Sequence, residues 1–86
     1  MKSIENLIRF VSKNQGQKTV GNHAAFRNGS EVKFTYHGNT VCRWDMKKNK
    51  FVLDDCGWKG YSSTTRTLND YRFHLSHYFG ATERTA

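Results

Sequence analysis

Residues 31–53, EVKFTYHGNTVCRWDMKKNKFVL, decide the fold class. Val32, Phe34 and Tyr36 alternate with Lys33, Thr35 and His37, and Cys42, Trp44 and Met46 alternate with Val41, Arg43 and Asp45. A period of two belongs to strands with one buried face. The first reversal falls at Gly38-Asn39. A two-residue loop there pairs Phe34 with Arg43 and turns the second strand's apolar set outward. A three-residue loop, Gly38 to Thr40, pairs Phe34 with Trp44 and unites the two sets. With Lys47-Lys48-Asn49-Lys50 as the next turn, Met46 faces Phe51 and Trp44 faces Leu53. The expectation is a three-stranded antiparallel meander whose apolar face holds Phe34, Tyr36, Trp44 and Phe51.

Upstream the period changes. Ile4, Leu7, Ile8 and Val11 lie at i, i+3, i+4 and i+7 within Lys2 to Lys13, the stripe of an amphipathic helix. Ser3 is its expected N-cap, and Arg9 and Lys13 lie on the wet side near the negative end of the dipole. Residues 14–30 read as a polar connector holding three of the seven glycines, with an apolar island at Ala24, Ala25 and Phe26.

Downstream, residues 54–67 read as a structured loop with two glycines and a run of hydroxyls. A second helix then carries Leu68, Tyr71, Leu75, Tyr78 and Phe79, capped by Thr64 or Thr65 and stopped at Gly80. Residues 81–86 read as a frayed tail. The class is α+β in the order α-β-β-β-α: one small basic domain over residues 1–80, both helices on the apolar face of the sheet.

Composition narrows the function. The 86 residues hold 14 Lys+Arg against 7 Asp+Glu, a formal charge of +7, and 14% are aromatic. So many aromatics argue against a disordered basic tail, and no stretch is long and apolar enough for a membrane span. The N-terminus lacks the pattern of a secretory signal, so Cys42 and Cys56 are expected as free thiols in a reducing compartment.

The stretch FTYHGNTVCRWD, followed by FVLDDCGW and SSTTRTLND, resembles a group of small proteins of tailed bacteriophages. The group shares a His-Gly turn, a Gly-Trp or Gly-Tyr, and a Thr-Thr-Lys/Arg segment ending in Asn. The matching residues are His37, Gly38, Gly57, Trp58, Ser63, Thr64, Thr65, Arg66, Leu68 and Asn69, within roughly residues 31–70. Thr67 stands near the place of a second basic residue in that pattern. The resemblance implies a phage origin and the cytoplasm of the infected bacterium; it implies no mechanism.

Residues 1–50 hold ten Lys+Arg and three acids, while residues 51–86 hold four of each, so the excess charge is N-terminal. Lys47, Lys48 and Lys50 on one turn, Lys33 and Arg43 on the wet strand face, and Arg66 ahead of the second helix make a set able to track phosphates. The same lysines also suit a solvated edge that blocks sheet pairing, and Glu31, Asp45 and Asp54 dilute them. Trp58, Tyr61 and Arg66 are the residue types of a protein-binding anchor. Ser62, Ser63, Thr64 and Thr65 fit either an anion site or a helix cap. Cys42, Cys56, His74 and His77 lack zinc-site spacing, and Asp54-Asp55 with His37 or His74 has no spacing that fixes acid–base geometry. The expected function is therefore non-enzymatic, with no cofactor or metal: stoichiometric binding of nucleic acid or a nucleoprotein complex. The alternative is an inhibitor that docks on an acidic surface of a bacterial host protein.

Overall fold

Among the described residues, six strands rather than three make up the sheet. The computed structural model describes residues 2–58 and 60–84. Helix α1 (Lys2–Lys13) is followed by β1 (Gly16–Val20), β2 (His23–Asn28), β3 (Glu31–Tyr36), β4 (Asn39–Asp45) and β5 (Lys50–Leu53). Helix α2 (Ser62–Phe79) and β6 (Thr82–Glu83) complete the chain. The strands lie in sequence order, antiparallel except for the final pair, in which β6 runs parallel to β5. The fold is α+β, and the three-stranded meander expected from residues 31–53 is the centre of a larger mixed sheet.

The reading of residues 14–30 as a connector is corrected. They form β1 and β2, reversed at Gly21-Asn22 and again at Gly29-Ser30, each a two-residue loop between paired residues. Gly21 (φ 61°) and Gly29 (φ 65°) supply the positive φ that the first central position of such a hairpin needs. The third reversal is His37-Gly38, also two residues, with both φ values positive (51° and 80°). The three-residue loop Gly38 to Thr40 is therefore not formed.

The register differs accordingly. Val32 pairs with Trp44 and Phe34 with Cys42, then the pairing shifts so that Thr35 meets Thr40. The residue left over is Val41. A bulge lets two successive residues oppose one, and both Val41 and Cys42 are buried, at 0% and 1% exposure. Alternation alone had placed Val41 outward. Across the next turn Trp44 pairs with Phe51 and Cys42 with Leu53. From Val32 to Phe34 and across β4 to β5 the register is displaced by two residues from the expected one, which preserves the identity of the buried face; beyond the bulge the displacement is three.

Both helices lie against that face, α1 over β1 and β2 and α2 over β4, β5 and β6. Ile4, Leu7, Ile8 and Val11 from α1 join Ala25, Val32, Phe34, Val41, Cys42, Trp44 and Phe51 from the sheet and Tyr71 and Leu75 from α2. Trp44 faces inward, and its indole N–H donates to Asn49 Oδ1 at 3.0 Å. Burial of a sheet face of this composition is the main stabilising term of so small a chain.

Several local expectations change. The α1 helix already includes Ser3, so Ser3 is not its cap. The α2 helix begins at Ser62, inside the span read as loop; its N-cap is Tyr61, with no side-chain cap, and Thr64 and Thr67 are buried on its inner stripe. Tyr78, expected in the core, is 60% exposed. Gly80 does stop α2, in the left-handed region. Ala81 is buried and Thr82–Glu83 pair with β5, so these residues are not frayed; Thr85 and Ala86 lie outside the described residues.

Side chains from β2 and from the turn between β4 and β5 hold the C-terminal ends of the two helices. Arg27 donates through Nη1 to the Val11 carbonyl (2.8 Å) and through Nε to the Gly29 carbonyl (2.7 Å). Asn49, at φ 53°, donates to the Phe79 carbonyl at 2.8 Å, and its own carbonyl accepts the Thr82 N–H at 3.0 Å. Carbonyls in the last turn of a helix need such donors.

Candidate functional site

With both helices on one side, no element among the described residues covers the other face of the sheet. Strand alternation sends Gln17, Phe26, Lys33, Arg43 and Val52 to it as one continuous row, each paired with the next across β1 to β5. At about 4.8 Å between strands this row spans about 19 Å. A second row, Asn28, Glu31, Asp45 and Lys50, runs beside it on the same face. The face forms a trough of about 760 Å³, and Arg84, beyond β6, also lines it.

Four cations thus surround the trough: Lys33, Arg43, Lys50 and Arg84, against the carboxylates Glu31 and Asp45. Among the described residues the ion pairs are Arg9 with Glu5 and Arg72 with Glu83, both elsewhere. Asp45 is engaged by the backbone, its Oδ1 accepting the N–H groups of Lys47 (3.0 Å) and Lys48 (3.2 Å). The Lys33 ammonium lies 5.5 Å from the centroid of the Phe26 ring, a cation–π contact. Arg27 also lines the trough, but its guanidinium is committed to the Val11 and Gly29 carbonyls.

Of the expected phosphate-tracking set, the fold brings Lys33, Arg43 and Lys50 together. Lys47 and Lys48 are exposed on the turn that follows Asp45, at the end of the trough. Arg66 is separated from them: it is exposed on α2, across the sheet. Phe26, Gln17 and Arg84 were not singled out from the sequence. Phe26 and Gln17 sit on strands that read as connector, and Arg84 follows a two-residue strand that only tertiary pairing creates.

Trp58 and Tyr61 meet at a different place. With Tyr36, His37, Ser63 and Thr64 they line a smaller pocket of about 180 Å³. The Trp58 ring stands edge-on to Tyr36 and to His37, both at 6.3 Å, and Tyr61 is 66% exposed. Arg66 is not part of this lining. The loop beneath is built by two carboxylates: Asp54 Oδ1 accepts the Cys56 N–H at 2.8 Å and Asp55 Oδ1 the Gly57 N–H at 3.0 Å. Asn69, further along α2, accepts through Oδ1 from Arg72 at 2.8 Å.

The remaining titratable groups are dispersed. Cys42 is a free thiol in the core, its pKa pushed up by burial, and the Cys56 thiol donates to the Thr40 carbonyl at 2.9 Å. His74 stacks on Tyr78 and His77 on Phe73, at centroid separations of 5.5 and 5.1 Å. Among the described residues no three His, Cys, Asp or Glu side chains converge as metal ligands, and no helix is long and apolar enough to cross a membrane. His23, buried beneath Tyr36 with Nδ1 unpartnered, is held below the usual histidine range by burial and then by the nearby His37. Comparison of the chain with protein-family models, with curated proteins and with solved structures returns no match.

Proposed function

We propose that the chain is a small phage protein, acting in the cytoplasm of the infected bacterium, that binds nucleic acid stoichiometrically through the uncovered face of its sheet, alone or within a nucleoprotein complex. The phage assignment rests on the resemblance around Gly57-Trp58 and Thr64-Thr65-Arg66. The binding assignment rests on one observation above others: Lys33, Arg43, Lys50 and Arg84 converge on the trough, and none of them is ion-paired among the described residues. Cations kept from carboxylates in a concave surface attract a polyanion and release its counterions.

The test is a titration against random-sequence DNA and RNA at two salt concentrations. Four phosphate contacts predict an affinity loss of about 50-fold on single strands between roughly 50 and 200 mM salt. Absence of binding at the lower concentration rejects the proposal.

A second reading is favoured by the pocket around Trp58 and Tyr61. Two aromatics at an exposed concave corner are an anchor of the kind that protein interfaces use. On that reading the chain inhibits a bacterial host protein. Tyr61→Ala then abolishes capture of that protein from lysate, while Lys33→Glu leaves the capture intact.

A further inference from the structure

The trough's shape and the alternation of its residues bear on which nucleic acid it takes. The molecule measures 32 × 27 × 19 Å, and the trough is concave across β1 to β5. A duplex keeps its base faces stacked inside and offers such a face phosphates and groove edges alone. The cations Lys33 and Arg43 sit instead in the middle of the row, on the two central strands, with Phe26 on one side and Val52 on the other. A phosphate held by these two cations has an apolar side chain on either flank.

Resting on the reading above, we infer that the trough binds single-stranded nucleic acid, with phosphates on Lys33 and Arg43 and a base stacked on Phe26. The contact between Lys33 and the Phe26 ring prepares this exchange. In the free protein the ammonium occupies the ring face at 5.5 Å. On binding, a base takes that face and the ammonium moves to the adjoining phosphate, so each group trades one partner for a stronger one. A duplex offers no exposed base face and cannot make this exchange. Stacking on an aromatic ring is tolerant of sequence, so binding to mixed sequences follows.

The experiment is fluorescence anisotropy with labelled oligonucleotides of about 12 nucleotides, a usual single-strand site size: oligo-dT, oligo-U, and a DNA duplex of equal length. The chain is tested as it is and as Phe26→Leu and Phe26→Tyr, the first keeping an apolar side chain of similar bulk and the second keeping the ring. The expected result is binding to at least one single strand about tenfold or more tighter than to duplex. Phe26→Leu then weakens single-strand binding by about 5- to 150-fold, the range for one stacked base, and Phe26→Tyr restores it. Equal affinity for duplex, indifferent to Phe26→Leu, overturns this inference and leaves the broader binding proposal standing. Single-strand preference that survives Phe26→Leu overturns the stacking role. Failure of all three oligonucleotides to bind overturns both readings.

Discussion

The two faces of the sheet are made of the same strands and often of adjacent residues, yet they are built to opposite ends. Inward, Val32, Phe34, Val41, Cys42, Trp44 and Phe51 are dry and touch the two helices. Outward, Lys33, Arg43 and Lys50 alternate with them and meet solvent. The inner face has no spare capacity, because two helices and one sheet face are all that so short a chain can pack. The outer face does nothing for the core. Stability and binding are therefore assigned to residues one position apart, and single substitutions can separate them.

The sharpest separation is at neighbouring positions on β3. Phe34→Ala removes a fully buried ring that packs 4.7 Å from Tyr71, and costs about 3–5 kcal/mol of stability, read by denaturant unfolding. The double variant Lys33→Glu, Arg43→Glu shifts the unfolding midpoint by an amount equivalent to about 0.5 kcal/mol or less. Its effect falls on binding, where the loss of two phosphate contacts lowers the salt slope on single strands by about 1.4. Equal destabilisation by both variants would break the distinction between the faces.

Asn49 tests whether the lysine turn belongs to the binding surface or to the frame. Its side chain joins Trp44 to the Phe79 carbonyl, so Asn49→Ala lowers stability by about 1–3 kcal/mol, measured by thermal unfolding. Lys47→Ala and Lys48→Ala, on the same turn, leave the unfolding curve unchanged.

Acidification acts on the inner side. The pKa of His23 is lowered by burial and then by His37, and that of His74 chiefly by burial. The unfolded chain therefore binds protons that the folded chain refuses. Stability is complete above the ordinary histidine pKa, about 6.5, and declines as pH falls below it toward the lowered values. His23→Gln flattens that part of the pH–stability curve. The smallest effect expected is for Arg66→Ala, which lies across the sheet from the trough and alters single-strand affinity by less than about twofold.

The unequal legibility of the two halves of the sheet has a physical source. In β3, β4 and β5 the inner positions are large and apolar, so period-two alternation is plain in residues 31–53. In β1 and β2 the inner positions are Gly16, Lys18, Val20, His23, Ala25 and Arg27, of which Val20 and Ala25 alone are apolar. Lys18 reaches over Phe10 of α1, and Arg27 binds the end of that helix, so polar side chains line this end of the inner face. The Gly21-Asn22 and Gly29-Ser30 dipeptides were the available signal for those hairpins. The bulge at Val41 is set by the short His37-Gly38 turn and the demand to bury both Val41 and Cys42, which alternation cannot express. The site follows the same division. Lys33 and Arg43 were legible because they oppose an evident core, whereas Phe26 had no recognised strand to place it on.

The most direct test of the account is residue-resolved. In two-dimensional ¹H–¹⁵N spectra, adding a single-stranded oligonucleotide is expected to shift the amides of Gln17, Phe26, Lys33, Arg43 and Val52 while those of Arg66, Phe73 and Tyr78 on α2 stay in place. Shifts confined to α2 or to Trp58 and Tyr61, with the β2–β5 row unmoved, would contradict the assignment of binding to the uncovered face.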